Sequence, residues 1–280
     1  MKKFLKNNKK RIIKVLAIIV VIMIAATIWC EVPVTEHITI SGEGKVKAPL
    51  KLALVTDLHS CYYGKNQLQL IKMIAKESPD VILLSGDIFD DRLTQTNARI
   101  FIEGIADKYP CFYVTGNHEF WSKKETEIKE YLASKGVTVL EKDACTVNIG
   151  GNNIDICGVD DPTFMSSKEW EARLDEAQNA SDATNYRILL SHRPEKVDVY
   201  EKYDFDLIVC GHAHGGQWRI PFTKRGVAAP NQGLLPAYVD GLYELENGSE
   251  MIVSRGLARE RMPYPRFFNH PEVVMIDVKD

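Results

Sequence analysis

The order of apolar and polar positions divides the chain into an apolar run near its start and a long alternating remainder. Residues 15–30 contain no charged side chain. With Ile12, Ile13 and the aliphatic stem of Lys14, this run approaches the roughly 20 residues with which a helix spans a bilayer. From residue 51 onward, short apolar runs alternate with segments whose apolar positions recur at helical spacing. Strands are predicted over 51–56, 81–85 and 111–115. Helices are predicted over 66–77, where Leu68, Ile71, Ile74 and Ala75 share a face, over 96–107, with Ile100, Phe101 and Ile105, and over 123–135. Such alternation builds a mostly parallel sheet, covered by helices and buried on both faces.

The character changes in the middle of the chain. Residues 146–149 and 154–159 flank Gly150-Gly151-Asn152-Asn153 and read as a hairpin that begins a second sheet. A helix is predicted over 167–179, buried strands over 187–190 and 207–210, and closing strands over 241–246, 251–254 and 273–278. Residues 215–240, polar and bearing Gly and Pro, form a long loop, and loops of that length are often functional. The expected organisation is a basic tail (1–14), a transmembrane anchor (15–30), a linker with a first strand (31–50) and one α/β domain (51–280).

Charge refines this picture. Residues 1–14 hold seven Lys and Arg and no acid, so the tail is expected in the cytoplasm and the domain on the outer side of the cell membrane. Trp29 would stand in the far interface. A cleaved signal peptide is the rival reading, although Ala25-Ala26-Thr27 lacks a clean cleavage pattern. Without the tail, 28 Lys and Arg face 38 Asp and Glu, a formal charge of −10. Nucleic-acid binders carry the opposite excess, so nucleic acid is not an expected partner. No pattern calls for a protein partner. Cys61, Cys111, Cys145, Cys157 and Cys210 are odd in number and lack C-x-x-C spacing, which points to neither a disulfide framework nor a zinc ribbon.

Chemistry gathers where predicted strands end. The first ends in Asp57-Leu58-His59, the second in Gly86-Asp87, the third in Gly116-Asn117-His118-Glu119, and the later pair in Ser191-His192 and Gly211-His212-Ala213-His214. Ligands of α/β sheets collect at the carboxyl ends of strands, so these five tips are expected to converge. Asp57, Asp87 and Asn117 are spaced 30 positions apart, one strand-helix unit each. Carboxylate, amide oxygen and imidazole together suit Mn, Fe or Zn better than calcium or a structural zinc. Seven such ligands exceed one tetrahedral ion, whereas two divalent ions sharing a bridging carboxylate fit them. Glycines beside them allow sharp turns and close approach. Each motif alone also has a bland reading as a turn or a polar loop. Five of the seven histidines nevertheless lie in these segments.

In order and spacing, these motifs resemble those of the calcineurin-like metallophosphoesterases. The resemblance covers about residues 51–214. The Gly215-Gly216-Gln217 extension and the later stretch from Val253-Ser254-Arg255-Gly256 to Pro265-Arg266-Phe267-Phe268 resemble its bacterial membrane-anchored branch. It implies a four-layer α/β/β/α sandwich of two mixed sheets. It also implies that Asp57, His59, Asp87 and His214 hold one metal, with Asp87 bridging to a second held by Asn117, His192 and His212. His118 would protonate or stabilise the leaving oxygen, oriented by Asp90. The protein-phosphatase branch has an arginine directly after the position of Asp90, where this chain has Asp91, with Arg92 one place further on. Arg193, Arg255 and Arg259 are the candidate phosphate contacts. Glu119 is expected to make a local hydrogen bond near a helix start, and Trp121, Trp170 and Trp218 to pack in the core or at the rim.

The expected activity is hydrolysis of a phosphoester by a hydroxide bridging two metals. The location directs it towards a phosphodiester or pyrophosphate on a small-molecule, lipid or cell-envelope substrate. A broad phosphomonoesterase, a secreted nuclease and a non-catalytic metal or ligand sensor are the alternatives.

Overall fold

A computed structural model describes residues 2–259 and 264–280, and side chains except those of residues 2–8, 10 and 19. Most basic side chains of the expected tail, and residues 260–263 between Gly256 and Pro265, therefore lie outside the described residues. Helix α1 (Lys2–Cys30) contains the expected apolar segment. Its part from Arg11 to Cys30 is long and apolar enough to cross a membrane and stands outside the packed domain.

Strand β2 (Leu50–Val55) shows why the following strands are apolar on both faces. Leu52 and Leu54 point into one core, Ala53 and Val55 into another. The first sheet has the order β1 (Val34–Ser41), β14 (Glu272–Lys279), β2, β3 (Val81–Ser85), β4 (Cys111–Val114) and β5 (Thr138–Val139). Strands β2 to β5 run parallel, β14 is antiparallel to β2, and β1 is parallel to β14. Helices α2 (Leu68–Glu77), α3 (Thr96–Ile105) and α5 (Glu125–Ser134) cover its outer face through Leu70, Ile74, Phe101, Ile105, Ile128 and Leu132. A short helix, α4 (Asn117–Trp121), follows β4 directly.

The second sheet has the order β12 (Gly241–Glu244), β13 (Glu250–Val253), β9 (Leu207–Cys210), β8 (Tyr186–Leu190), β7 (Asn152–Val159) and β6 (Lys142–Ile149). Its four central strands are parallel, and its two edges are antiparallel hairpins. Helices α6 (Ser167–Asn179) and α7 (Val197–Tyr200) pack on its outer face around Trp170, Leu174 and Tyr200. Between the sheets lie Leu52, Leu54, Leu83 and Val114 from one side and Ile156, Ile188, Leu190 and Val209 from the other. Three cores between four layers give the α/β/β/α sandwich with two mixed sheets.

Most predicted elements recur with ends shifted by a few residues. The hairpin predicted from residue 146 is longer and begins at Lys142. The segment expected as linker and first strand is more than a lead-in: β1 pairs along its whole length with β14. The long loop also has internal structure, a small hairpin of β10 (Ala228–Ala229) and β11 (Gly233–Leu234).

Candidate metal centre

The five tips converge from two sheets. Sheet one brings Asp57 and His59 after β2, Asp87 after β3, and Asn117 and His118 on α4. Sheet two brings His192 after β8 and His212 and His214 after β9. Three buried groups result, Asp57–His59–His214, Asp87–His192–His212 and, between them, His59–Asp87–His118, with ligand atoms of each group within 4.8 Å of one another. Asp87 Oδ2 joins the halves, 3.2 Å from His192 Nε2 and 3.6 Å from His59 Nε2. Asp57 Oδ1 lies 3.9 Å from His59 Nε2 and 3.8 Å from His214 Nε2.

Backbone and side-chain bonds aim these groups. The amide of His118 donates to Asp87 Oδ1 at 2.8 Å, and the amide of His212 donates to Asp57 at 3.0 Å. His192 Nδ1 lies 2.9 Å from the Ser85 carbonyl and His59 Nδ1 3.2 Å from Asp90, which turns each Nε2 towards Asp87. His212 is reversed: its Nε2 is 2.8 Å from Asn231 and its Nδ1 faces His192 Nε2 at 3.2 Å. Asp57, His59, Asp87, His212 and His214 all have φ between 47° and 64°. The left-handed region disfavours such residues by about 1–2 kcal/mol each, so the surrounding contacts hold the ligands in a strained array. Gly116 and Gly211 admit it, because a Cβ at either would overlap the Asp87 or Asp57 carboxylate.

The donor set fits metal ions by what it leaves unpaired. His59 Nε2, Asp87 Oδ2, Asn117 Oδ1 and His214 Nδ1 are buried without a hydrogen-bond partner among the described residues. Buried polar atoms are normally paired, so four in one place mark a site for a charged guest. Burial, then Arg193 and His192, push His212 down to about 3, and burial likewise lowers His214. Both imidazoles are thus free bases, the form that ligates. Burial opposes the charged form of His192, yet Asp87 and Asp57 hold it up at about 10. Without metal its proton neutralises Asp87, whose pKa is held down by His192 and His118 against the effect of burial.

His118 stands at the edge of this array, its Nε2 4.0 Å from Asp87 Oδ2 and its ring edge-on to that of His59. Its Nδ1 corrects one expectation. The nearest carboxylate is Asp91 at 2.6 Å, while Asp90 lies 3.4 Å away and hydrogen-bonds His59 instead. The residue read as a departure from the phosphatase pattern has thus taken the orienting position, and Asp90 is tied by the amides of Arg92 and Leu93.

The three candidate phosphate-binding arginines are not alike. Arg193 is buried beside the cluster, gripped by Asp161 at 2.5 and 3.0 Å, with Nη1 2.9 Å from His212 Nε2. Arg255 is ion-paired with the buried Glu272 and with Asp240, and Arg259 is paired with Glu31 and lies over Tyr63. Carboxylates thus hold both of these guanidinium groups, as Asp161 holds that of Arg193. Glu119 does more than cap α4. It accepts from the amides of Gly116 at 2.8 Å, Asp87 at 3.0 Å and Phe89 at 2.9 Å, which straps the β3 and β4 tips together. Burial, then Asp87, raise its pKa to about 7.

Sequence reasoning missed Asp161 and Asn231. The signal for Asp161 was available, since Asp160-Asp161 follows a predicted strand whose tip points the same way as that of β8. Asn231 lies in the long loop, where no periodicity marks it.

Residues 50–216 match the calcineurin-like phosphoesterase family. Phosphodiesterase YaeI of Escherichia coli is 31% identical over 237 residues, covering 82% of this chain and 83% of YaeI. An uncharacterized metallophosphoesterase of Helicobacter pylori is 27% identical over 236 residues, 83% of this chain, and the chain spans only 60% of that relative's length. The structure of Haemophilus influenzae NAD nucleotidase superposes with a TM-score of 0.51 at 17% identity, over 76% of this chain and 46% of that one, a likeness of fold alone. Because the family match spans residues 50–216, more than half of the chain and every strand tip from Asp57 to His214, the chain belongs to the calcineurin-like phosphoesterases.

Proposed function

We propose that the centre is dinuclear and that it hydrolyses a phosphodiester of a membrane or envelope molecule. The observation that carries this reading is the pair of buried clusters meeting at Asp87. Asp57, His59 and His214 would hold one ion, Asn117, His192 and His212 the other, and Asp87 both. Two bound divalent ions supply an activated water near neutral pH and charge neutralisation for the phosphoryl oxygens.

The chain's own residues supply the rest. His118 presents Nε2 at the edge of the cluster while Asp91 holds Nδ1, the geometry of an acid that delivers a proton to a departing oxygen. A diester is favoured over a monoester by charge. Among the described residues, Arg193, Arg255 and Arg259 are already bound by carboxylates, and the mostly exposed Arg92 pairs with Asp91. With these four pairs in place, a singly charged diester asks less of them than a doubly charged monoester would. The apolar helix supports a substrate near a membrane, and the absence of acid among residues 1–14 supports an outward-facing domain.

The test uses the full chain in detergent, stripped of metal and reloaded with Mn²⁺, Zn²⁺ or Fe²⁺. Metal content per chain is measured beside the rates on bis-p-nitrophenyl phosphate and p-nitrophenyl phosphate. Two ions per chain and a faster diester reaction are expected. One ion per chain refutes the dinuclear centre, a preference for the monoester selects the phosphomonoesterase, and metal binding without turnover selects the sensor.

A further inference from the structure

Beyond the metal cluster, the long loop carries a hairpin with its polarity reversed. Arg219 faces Gly226 across it, the Val227 amide donates to the Trp218 carbonyl at 2.7 Å, and the Ile220 amide to the Arg225 carbonyl at 3.0 Å. Along a strand alternate residues face opposite sides. Here the charged Arg219 is buried and paired with Asp240 at 2.7 Å. Trp218, Ile220 and Phe222 point outward, with 47%, 39% and 104% of their surface exposed. Leu234 and Leu235 extend this apolar surface at 80% and 66% exposure, held beside it by the Leu235 amide on the Val227 carbonyl. Isolated exposed apolar residues are ordinary, but a continuous ridge of them marks a contact surface.

The ridge is tied to the foot of the apolar helix. The Arg219 amide donates to the Phe267 carbonyl, and Asn269 Nδ2 donates to the carbonyls of His214 and Gln217. The next residue, His270, meets the Trp29 ring edge-on at 4.2 Å and the Val32 carbonyl at 2.9 Å. One short segment thus links α1, the ridge and a residue of the metal cluster. The local charge differs from the rest of the domain as well. Residues 215–239 contain Arg219, Lys224 and Arg225 and no acid, in a domain of formal charge −10, and Lys224 and Arg225 are exposed beside Phe222.

We propose that this ridge is a second membrane contact: Phe222, Leu234 and Leu235 enter the lipid surface at the foot of α1, with Lys224 and Arg225 on anionic headgroups. Apolar side chains flanked by cations are the composition that holds a segment in a lipid interface. The consequence for substrate, which rests on the phosphodiesterase reading above, is that phosphodiesters carried by lipids reach the cluster without leaving the bilayer.

The test reconstitutes the full chain, with Cys145→Ser to remove its one partly exposed thiol, into phosphatidylglycerol–phosphatidylethanolamine vesicles. An environment-sensitive dye is placed at Phe222→Cys, at Leu234→Cys, and at Glu246→Cys in the β12–β13 turn at the far end of sheet two. A lipid-attached nitroxide is expected to quench the first two dyes about fivefold more strongly than the third, as insertion to interfacial depth requires. Equal quenching at all three overturns the membrane contact, and the two ridge positions guard against one that misfolds. In a second arm, Phe222→Asp with Leu234→Asp is expected to slow a vesicle-embedded diacylglycerol p-nitrophenyl phosphodiester about tenfold, since charges oppose insertion, and to leave soluble bis-p-nitrophenyl phosphate unchanged. Equal rates on the lipid substrate overturn delivery from the bilayer. If the unaltered chain cleaves neither diester, the phosphodiesterase reading fails while the quenching result still decides the membrane contact.

Discussion

The two sheets contribute unlike chemistry to one site, since both carboxylates come from sheet one, beside His59, Asn117 and His118. Sheet one brings the carboxylates Asp57 and Asp87, and the peptide backbone fixes them, through the amides of His212 and His118 and the Glu119 strap. Sheet two brings only imidazoles, His192 held by the Ser85 carbonyl and His212 by the side chains of Asn231 and of an Arg193 that Asp161 restrains. An acidic half and a basic half can neutralise each other across the interface, as the 3.2 Å His192–Asp87 contact does. They can equally share cations. The difference teaches that the site belongs to the interface between sheets and to neither sheet alone.

The most damaging way to break this balance is Asp87→Ala, which removes the carboxylate lying nearest to both His192 and His59. Metal content and turnover are expected to fall together to background, read by elemental analysis and diester hydrolysis. Retained metal with lost rate would deny Asp87 its bridging place. Next in size is His118→Gln, expected to keep metal and lose about 10²–10⁴ in rate. That loss shrinks for a substrate with a good leaving group, and equal losses for good and poor leaving groups would remove the acid role.

On the basic side, Asp161→Asn releases Arg193, and metal affinity is expected to drop about 10–100-fold in a titration. The same change leaves the buried Arg193 charge with only Glu195 among the described carboxylates, 3.7 Å away, and costs about 3–5 kcal/mol of stability at pH 7. Burial alone would raise the Asp161 pKa, but Arg193 holds it below its usual 3.8. A depressed carboxylate contributes stability above the unfolded value that is lost as pH falls through the folded one. The gap between the two proteins in urea unfolding is therefore expected to persist at pH 7 and to close below pH 3.8. A gap independent of pH would show that packing, and not charge, is at stake. The smallest effect is expected for Asp91→Asn. Burial lowers the His118 pKa and the Asp91 hydrogen bond partly restores it. Its loss moves the alkaline limb of the pH–rate profile to lower pH, and an unmoved limb would return the orienting role to Asp90.

How much of this was legible depended on how local each feature is. The strand tips could be read because each ligand directly follows an apolar run, as His192 follows β8. Side assignment could not be read. Asp90 and Asp91 are neighbours, and which of them faces His118 is set by the turn after β3 and its bonds to Arg92 and Leu93. Asp161 meets Arg193 only because β7 and β8 are parallel neighbours, and Asn231 meets His212 only through the folding of the long loop. The pairing of β1 with β14 joins segments that no periodicity connects.

That pairing has a consequence for the birth of the protein. A chain made from its amino end exposes β1 before β14, yet among the described residues the only neighbour of β1 in the sheet is β14. At synthesis speeds of ~5–20 residues per second, β1 waits roughly 10–50 s for its partner. Throughout that interval its edge is open to other chains, and sheet one lacks both β1 and β14. Closure of the domain thus waits for the synthesis of β14, and truncations that remove β14 should be read first as failures of maturation and only then as failures of chemistry.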